Sequence, residues 1–177
     1  AMARPLFGTT ATHFAVLREI QGRNVTLDQV RQIQQNAVIL SGNKQVALAV
    51  ASGRVAWGLT DTDDAIIEKD NGEPVAIVFP DQAPDQLGTL RIPNTIAVLK
   101  GAPHATVAGQ LADYLIRPET EDRLAMGNSS QLPISRRSKF PPRVLPVEPV
   151  RWMRVSFEDA ASGWDDWSAE LQDMLRD

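Results

Sequence analysis

Val38-Ile39-Leu40-Ser41-Gly42-Asn43 and Val55-Ala56-Trp57-Gly58-Leu59-Thr60-Asp61-Thr62-Asp63-Asp64 share one design: a short apolar run, a small polar corner, then a helical pattern. Apolar runs of this length bounded by turn formers read as buried strands. The first leads into a helix carrying Val46, Leu48, Ala49 and Val50, closed by Gly53. The second leads into a helix through Lys69, stopped by Asn71-Gly72. Val75 to Phe79 repeats the strand pattern. Upstream, residues 12–21 set Phe14, Leu17 and Ile20 at helical spacing before Gly22. Thr26 then reads as the N-cap of a helix with Val30, Ile33 and Ala37 on one face. The order helix, helix, strand, helix, strand, helix, strand predicts an α/β layer with a partly parallel sheet, with Trp57 in its core.

Beyond this layer the pattern changes. Leu90 to Leu99 is extended but interrupted by Pro93, which places it at an edge or a crossover. Gly101-Ala102-Pro103-His104 is a turn. Residues 105–116 form a helix striped by Val107, Leu111, Leu115 and Ile116, and Pro118 opens another through Met126. Five of the 12 prolines fall between Pro133 and Pro149, a basic loop or wrapping stretch with Arg136, Arg137, Lys139 and Arg143. Helical period returns with Phe157, Trp164, Trp167, Leu171 and Met174, and the two tryptophans serve as packing anchors.

Composition narrows the function. A chain of 177 residues that is 43% hydrophobic supports a real core. Lys+Arg 18 against Asp+Glu 22 gives a net charge of -4, which argues against nucleic acid as a partner. The absence of cysteine removes disulfides, thiolate metal sites and a thiol nucleophile. No apolar run reaches the roughly 18 residues of a membrane span. The start, Ala1-Met2-Ala3-Arg4-Pro5, has no signal-peptide segment, and Ala1 ahead of Met2 has the look of a tag remnant. His13 and His104 lack a second histidine at i+4, and neither a Gly-x-Ser-x-Gly elbow nor a phosphate loop is present. An enzyme is therefore not expected.

Three corners carry the chemistry that remains: Gly8-Thr9-Thr10-Ala11-Thr12, Ser41-Gly42-Asn43 and Thr60-Asp61-Thr62-Asp63-Asp64. Each opens a helix, where unpaired N–H groups and the positive end of the dipole favour an anion. Simple capping by Thr, Ser and Asp explains any one of them. Three at the same end of one layer make a shared ligand cleft as good a reading as capping. The three aspartates also offer hard oxygen ligands, without the glycine and closing glutamate of an EF-hand loop.

Taken in order, these corners together with Ala49-Val50-Ala51-Ser52-Gly53, Pro80-Asp81-Gln82, Gly88-Thr89-Leu90, Ile92-Pro93-Asn94-Thr95 and Lys100 to His104 resemble the iron-type solute-binding proteins of ABC transporters, with the type II periplasmic binding fold. The resemblance implies two α/β lobes with the ligand between them. Residues 6–88 match the second, ligand-binding lobe. Residues 89–132 match the return segment and its helices, and residues 133–177 a Pro-rich wrap and C-terminal helix. Roughly 100 residues of a first lobe would then lie outside this sequence, judged by ordinary domain sizes. Ferric-ion binders of the family use two adjacent tyrosines. The matching positions here are Asp63 and Asp64, which makes them the candidate metal ligands, and the only tyrosine, Tyr114, lies in a later helix.

The resemblance thus implies a non-enzymatic component of an ABC importer, periplasmic or extracellular. Its expected partners are an inner-membrane permease and an iron or small anionic solute; a homodimer is a further expectation. The ligand-binding set is Thr9, Thr10, Thr12, Ser41, Asn43, Asp61, Thr62 and Asp63. Thr and Asn would donate hydrogen bonds to ligand oxygens, and the aspartates would take a ligand amine, a ferric ion or another hard cation with a synergistic anion. The alternatives are a regulator's ligand-sensing domain, which would need a helix-turn-helix that neither end shows, a metal-dependent enzyme on the Asp corner, and a fragment without binding activity.

Overall fold

Met2 and Leu27 lie at the centre of the fold, so the chain's first residues belong to its core. The computed structural model describes residues 1–175 except Val147. Strand β1 (Met2–Ala3) pairs in parallel with β2 (Ile39–Leu40), matching Met2 to Ile39 and Ala3 to Leu40. An isolated parallel bridge joins Met2 to Leu59. Helices α1 (Gly8–Gln21) and α2 (Arg23–Asn36) form a hairpin between the two strands, and α3 (Asn43–Ala51) and α4 (Thr62–Asp70) follow. After a long extended stretch come α5 (Ala105–Leu115) and α6 (Pro118–Met126). Two helices, α7 (Phe157–Ala161) and α8 (Trp164–Met174), close the described chain.

The main core forms where α1 and α2 meet the C-terminal helices. Phe14, Val16, Val30, Trp167 and Leu171 are buried together with Met2, Met153 and Ala160. Fully burying side chains of this size contributes roughly 1.5–3 kcal/mol each. Polar contacts fix the same junction: Arg18 donates to the carbonyls of Ser162 and Gly163, Arg23 pairs with Glu170, and Gln34 Nε2 donates to the Met174 carbonyl at 3.1 Å. Val46, Ala47 and Ala49 of α3 and Ile66 of α4 are buried, and the two helices pack together. Lys44 bonds the buried carboxylate of Glu68 across the same pair of helices.

The structure has less strand than the sequence predicts. Residues 55–59 and 75–79 do not form strands; Leu59 alone bridges to Met2, and Val75 to Phe79 runs extended without a ladder. A strand needs a hydrogen-bonding neighbour, and with β1 and β2 alone paired there is none for these runs. Trp57 consequently stands 69% exposed instead of in the core. Met2, next to Ala1, is only 2% exposed and sits in a strand. Thr26 does not cap α2. The helix starts at Arg23, and the fully buried Thr26 hydroxyl donates to the Gly22 carbonyl at 3.0 Å within it. The single helix expected from Phe157 breaks at Gly163, whose φ of 71° is left-handed; the end of that expected segment, Arg176 and Asp177, lies outside the described residues.

The stretch leading to α5 is clasped to the segment before α7. Thr89 N–H donates to the Arg151 carbonyl and Met153 N–H to the Thr89 carbonyl, both at 2.9 Å. Gly88 makes this approach possible. At φ 91° it has no side chain, and a Cβ there would fall 2.9 Å from Met153 N. Past this clasp the apolar stripe of α5 faces solvent. None of its residues is buried, and Val107, Leu111 and Ile116 are exposed.

Candidate functional site

The corners that open α1, α3 and α4 meet at one place. The N-cap residues of α1 and α3, Phe7 and Gly42, carry no capping side chain, and Asp61 ahead of α4 makes no capping bond to its own helix. The polar side chains bond across the corners instead. Asp61 Oδ2 accepts from Asn43 Nδ2 at 2.7 Å and from the Thr9 hydroxyl at 2.9 Å. Asn43 Nδ2 also lies 2.8 Å from Thr9 Oγ1, and the Thr10 hydroxyl reaches Asn43 Oδ1 at 3.3 Å. The Thr60 hydroxyl donates to the Asn43 carbonyl at 3.0 Å. The sequence makes this possible because the apolar runs before Asn43 and Thr60 both end beside β1: Leu40 pairs with Ala3 and Leu59 bridges to Met2.

This knot forms one wall of an open cleft of about 800 Å³. Thr9, Thr10, His13, Asn43, Asp61, Thr62 and Asp63 line the polar side. The extended stretches 76–80 and 89–96, the end of α5 and α6, and residues 131–135 supply a largely apolar remainder, including Ile92, Ile96, Leu115, Ile116 and Ile134. Arg91 is the cation in this lining. Its guanidinium donates to the Pro133 carbonyl and lies 5.7 Å from the Trp152 ring centre.

Carboxylate oxygens of Asp61, Asp63 and Asp64 lie within 4.8 Å of one another. Burial, then the charges of Asp63 and Asp61, push the Asp64 carboxyl above its ordinary range. Asp63 Oδ1 accepts the Asp64 N–H at 3.0 Å, and its Oδ2 has a long 3.4 Å contact from Gln131 Nε2. Burial lowers the His13 pKa, against the opposing pull of Asp81 and Asp61, so this cleft imidazole is held toward its neutral form.

Residues 17–138 match the model of the bacterial extracellular solute-binding proteins, which covers more than half of the chain. The chain belongs to that family. No curated protein and no solved structure matches it. In this solute-binding protein Asn43, Asp61 and Asp63 lie inside the matched span, whereas Thr9 and Thr10 precede it.

Of the residues singled out in the sequence, Thr9, Thr10, Asn43, Asp61, Thr62 and Asp63 share the cleft of this solute-binding protein. Three do not line it. The Thr12 hydroxyl turns back to the Gly8 carbonyl at 3.2 Å, because α1 begins a turn earlier than its apolar spacing indicates. Ser41 is exposed ahead of α3. Asp64, one position past Asp63 on α4, is outside the lining and feels the field of Lys44 and Glu68. His13 and Arg91 line the cleft but were not among the sequence candidates. His13 sits three residues after Thr10, one helical turn along the same face, and that spacing was the available signal.

Proposed function

We propose that this chain is the solute-binding component of an ABC importer and that the cleft beside Asn43 and Asp61 takes the solute. Family membership supports the general role. The observation that carries the site is the cross-corner knot: Thr9, Asn43 and Asp61, from the starts of three different helices, bond one another at a cleft wall. On this reading the partner is an inner-membrane permease, the location is periplasmic or extracellular, and the α/β part is a lobe of the type II, iron-type fold.

Two solute classes follow from the corners. A hard cation with its synergistic anion would use Asp63 with Asp61, and Asp64 from the rim. A small anion would use the helix-start N–H groups with Thr10 and Asn43. The anion faces a cost, since Thr9 and Asn43 already donate to Asp61 and the neighbouring charge is negative. Thermal-shift measurement against ferric citrate, phosphate, a phosphonate, sugars and amines tests the site. The expected result is a rise in Tm with at least one solute that Asn43→Ala abolishes. A solute response that survives Asn43→Ala places binding elsewhere.

A further inference from the structure

We propose that the solute is an organic cation, a primary ammonium carried on an apolar body; this rests on reading the cleft as the solute site. Three carboxylates line the cleft, and their partners separate them. Glu121 is committed to the fold: its two oxygens accept the N–H groups of Ile134 and Ser135 at 3.0 and 2.8 Å. Asp61 and Asp63 are different. Among the described residues, the ion pairs join Arg23 to Glu170, Arg31 to Asp28, Lys44 to Glu68 and Arg143 to Asp70. Neither Asp61 nor Asp63 has a cationic partner, although both are half-buried beside a third carboxylate.

The nearby cations do not fill that role. Arg91 is held by the Pro133 carbonyl and the Trp152 ring, and burial keeps His13 toward neutral. Partly buried carboxylates without a counter-charge favour a ligand that brings one. Thr9 and Asn43 both bond Asp61 Oδ2, which fixes that carboxylate in place. An ammonium offers three donors to such acceptors. A bare metal ion would satisfy the carboxylates and leave the rest of the lining unused. Ile92, Ile96 and Ile116 face the same space, and apolar surface of that kind suits a hydrocarbon body.

Calorimetry on the full chain with hexylammonium, hexanol, hexanoate, phosphate and calcium chloride decides between these classes. Hexylammonium is expected to bind at least tenfold tighter than hexanol, and to lose tenfold or more in Asp63→Asn and in Asp61→Asn. Circular dichroism checks that each variant is folded, and Thr12→Ala should bind as the parent does. Failure of hexylammonium to bind overturns the proposal, as does calcium binding that Asp63→Asn removes. Hexanoate or phosphate binding that Asn43→Ala removes would overturn the cationic class while leaving the cleft as the solute site. If a solute binds and Asn43→Ala, Asp61→Asn and Asp63→Asn leave it unchanged, the cleft reading falls too.

Discussion

Asn43 Nδ2 lies 2.7 Å from Asp61 Oδ2, joining the first residue of α3 to the residue that precedes α4. The same carboxylate oxygen accepts from Thr9 on α1, so one acceptor ties three elements. A hydrogen bond to a charged group contributes about 1.5–3 kcal/mol, and an abandoned partner adds its own desolvation cost. Asn43→Ala should therefore lower stability by about 2 kcal/mol. Asn43→Asp should be worse, because it sets a second carboxylate against Asp61. Urea unfolding of both variants checks the order; equal losses would mean that the contact contributes packing alone.

Trp167 is 2% exposed at the junction of α8 with α1 and α2. Its Nε1 has no hydrogen-bond partner among the described residues. Replacing it by Ala opens a large cavity and should cost about 3–5 kcal/mol. Phe also loses volume but removes the unpaired N–H, whose burial is unfavourable by about 1–3 kcal/mol. Trp167→Phe should thus lose under half as much as Trp167→Ala. A loss for Phe as large as that for Ala, measured by chemical denaturation, would show that shape complementarity outweighs the unmet donor.

His13 gives stability a pH dependence with a definite sign. Its folded pKa lies below the ordinary 6.5, chiefly because burial disfavours the imidazolium. The unfolded chain therefore takes up the proton first as pH falls. The contribution is full above pH 6.5 and is lost progressively below it. His13→Gln should flatten the fall in Tm as pH drops below 6.5. An unchanged slope in that window would assign it to other groups.

The strands β1 and β2 and the corners show where sequence reading succeeds and where it stops. Ser41-Gly42-Asn43 and Asp61-Thr62 lie at helix starts because small polar residues there and apolar spacing beyond are local signals. The bonds between them are not local. Nothing near Asp61 says that its carboxylate meets Thr9 rather than its own helix, since that choice depends on where β1 holds α1. Trp57 and residues 75–79 fail for the same reason: an apolar run reads as a buried strand only if some partner pairs with it. Thr26 misleads differently. Its hydroxyl can cap from outside a helix or bond the i−4 carbonyl from within, and burial against the core selects the second.

Asp64 sets the opposite pH signature to His13. Burial and the charges of Asp63 and Asp61 raise its folded pKa above the ordinary 3.8. The folded chain holds its proton to higher pH than the unfolded chain does, so ionising Asp64 opposes folding as pH rises through the raised value. The penalty is present in full above the raised value; below pH 3.8 it fades as both states become protonated. Asp64→Asn removes the charge without changing the size of the side chain. It should raise Tm at pH 7 by about 1–3 °C, a modest figure because solvent screens a partly exposed group. The gain should shrink to nothing near pH 3. Because Asp64 does not line the cleft, the variant should keep its solute response while Asp63→Asn loses it. Thermal melts of the two variants across this pH range, each with and without hexylammonium, separate the roles. A destabilised Asp64→Asn at pH 7 would mean that the carboxylate is held by a favourable contact stronger than the repulsion around it.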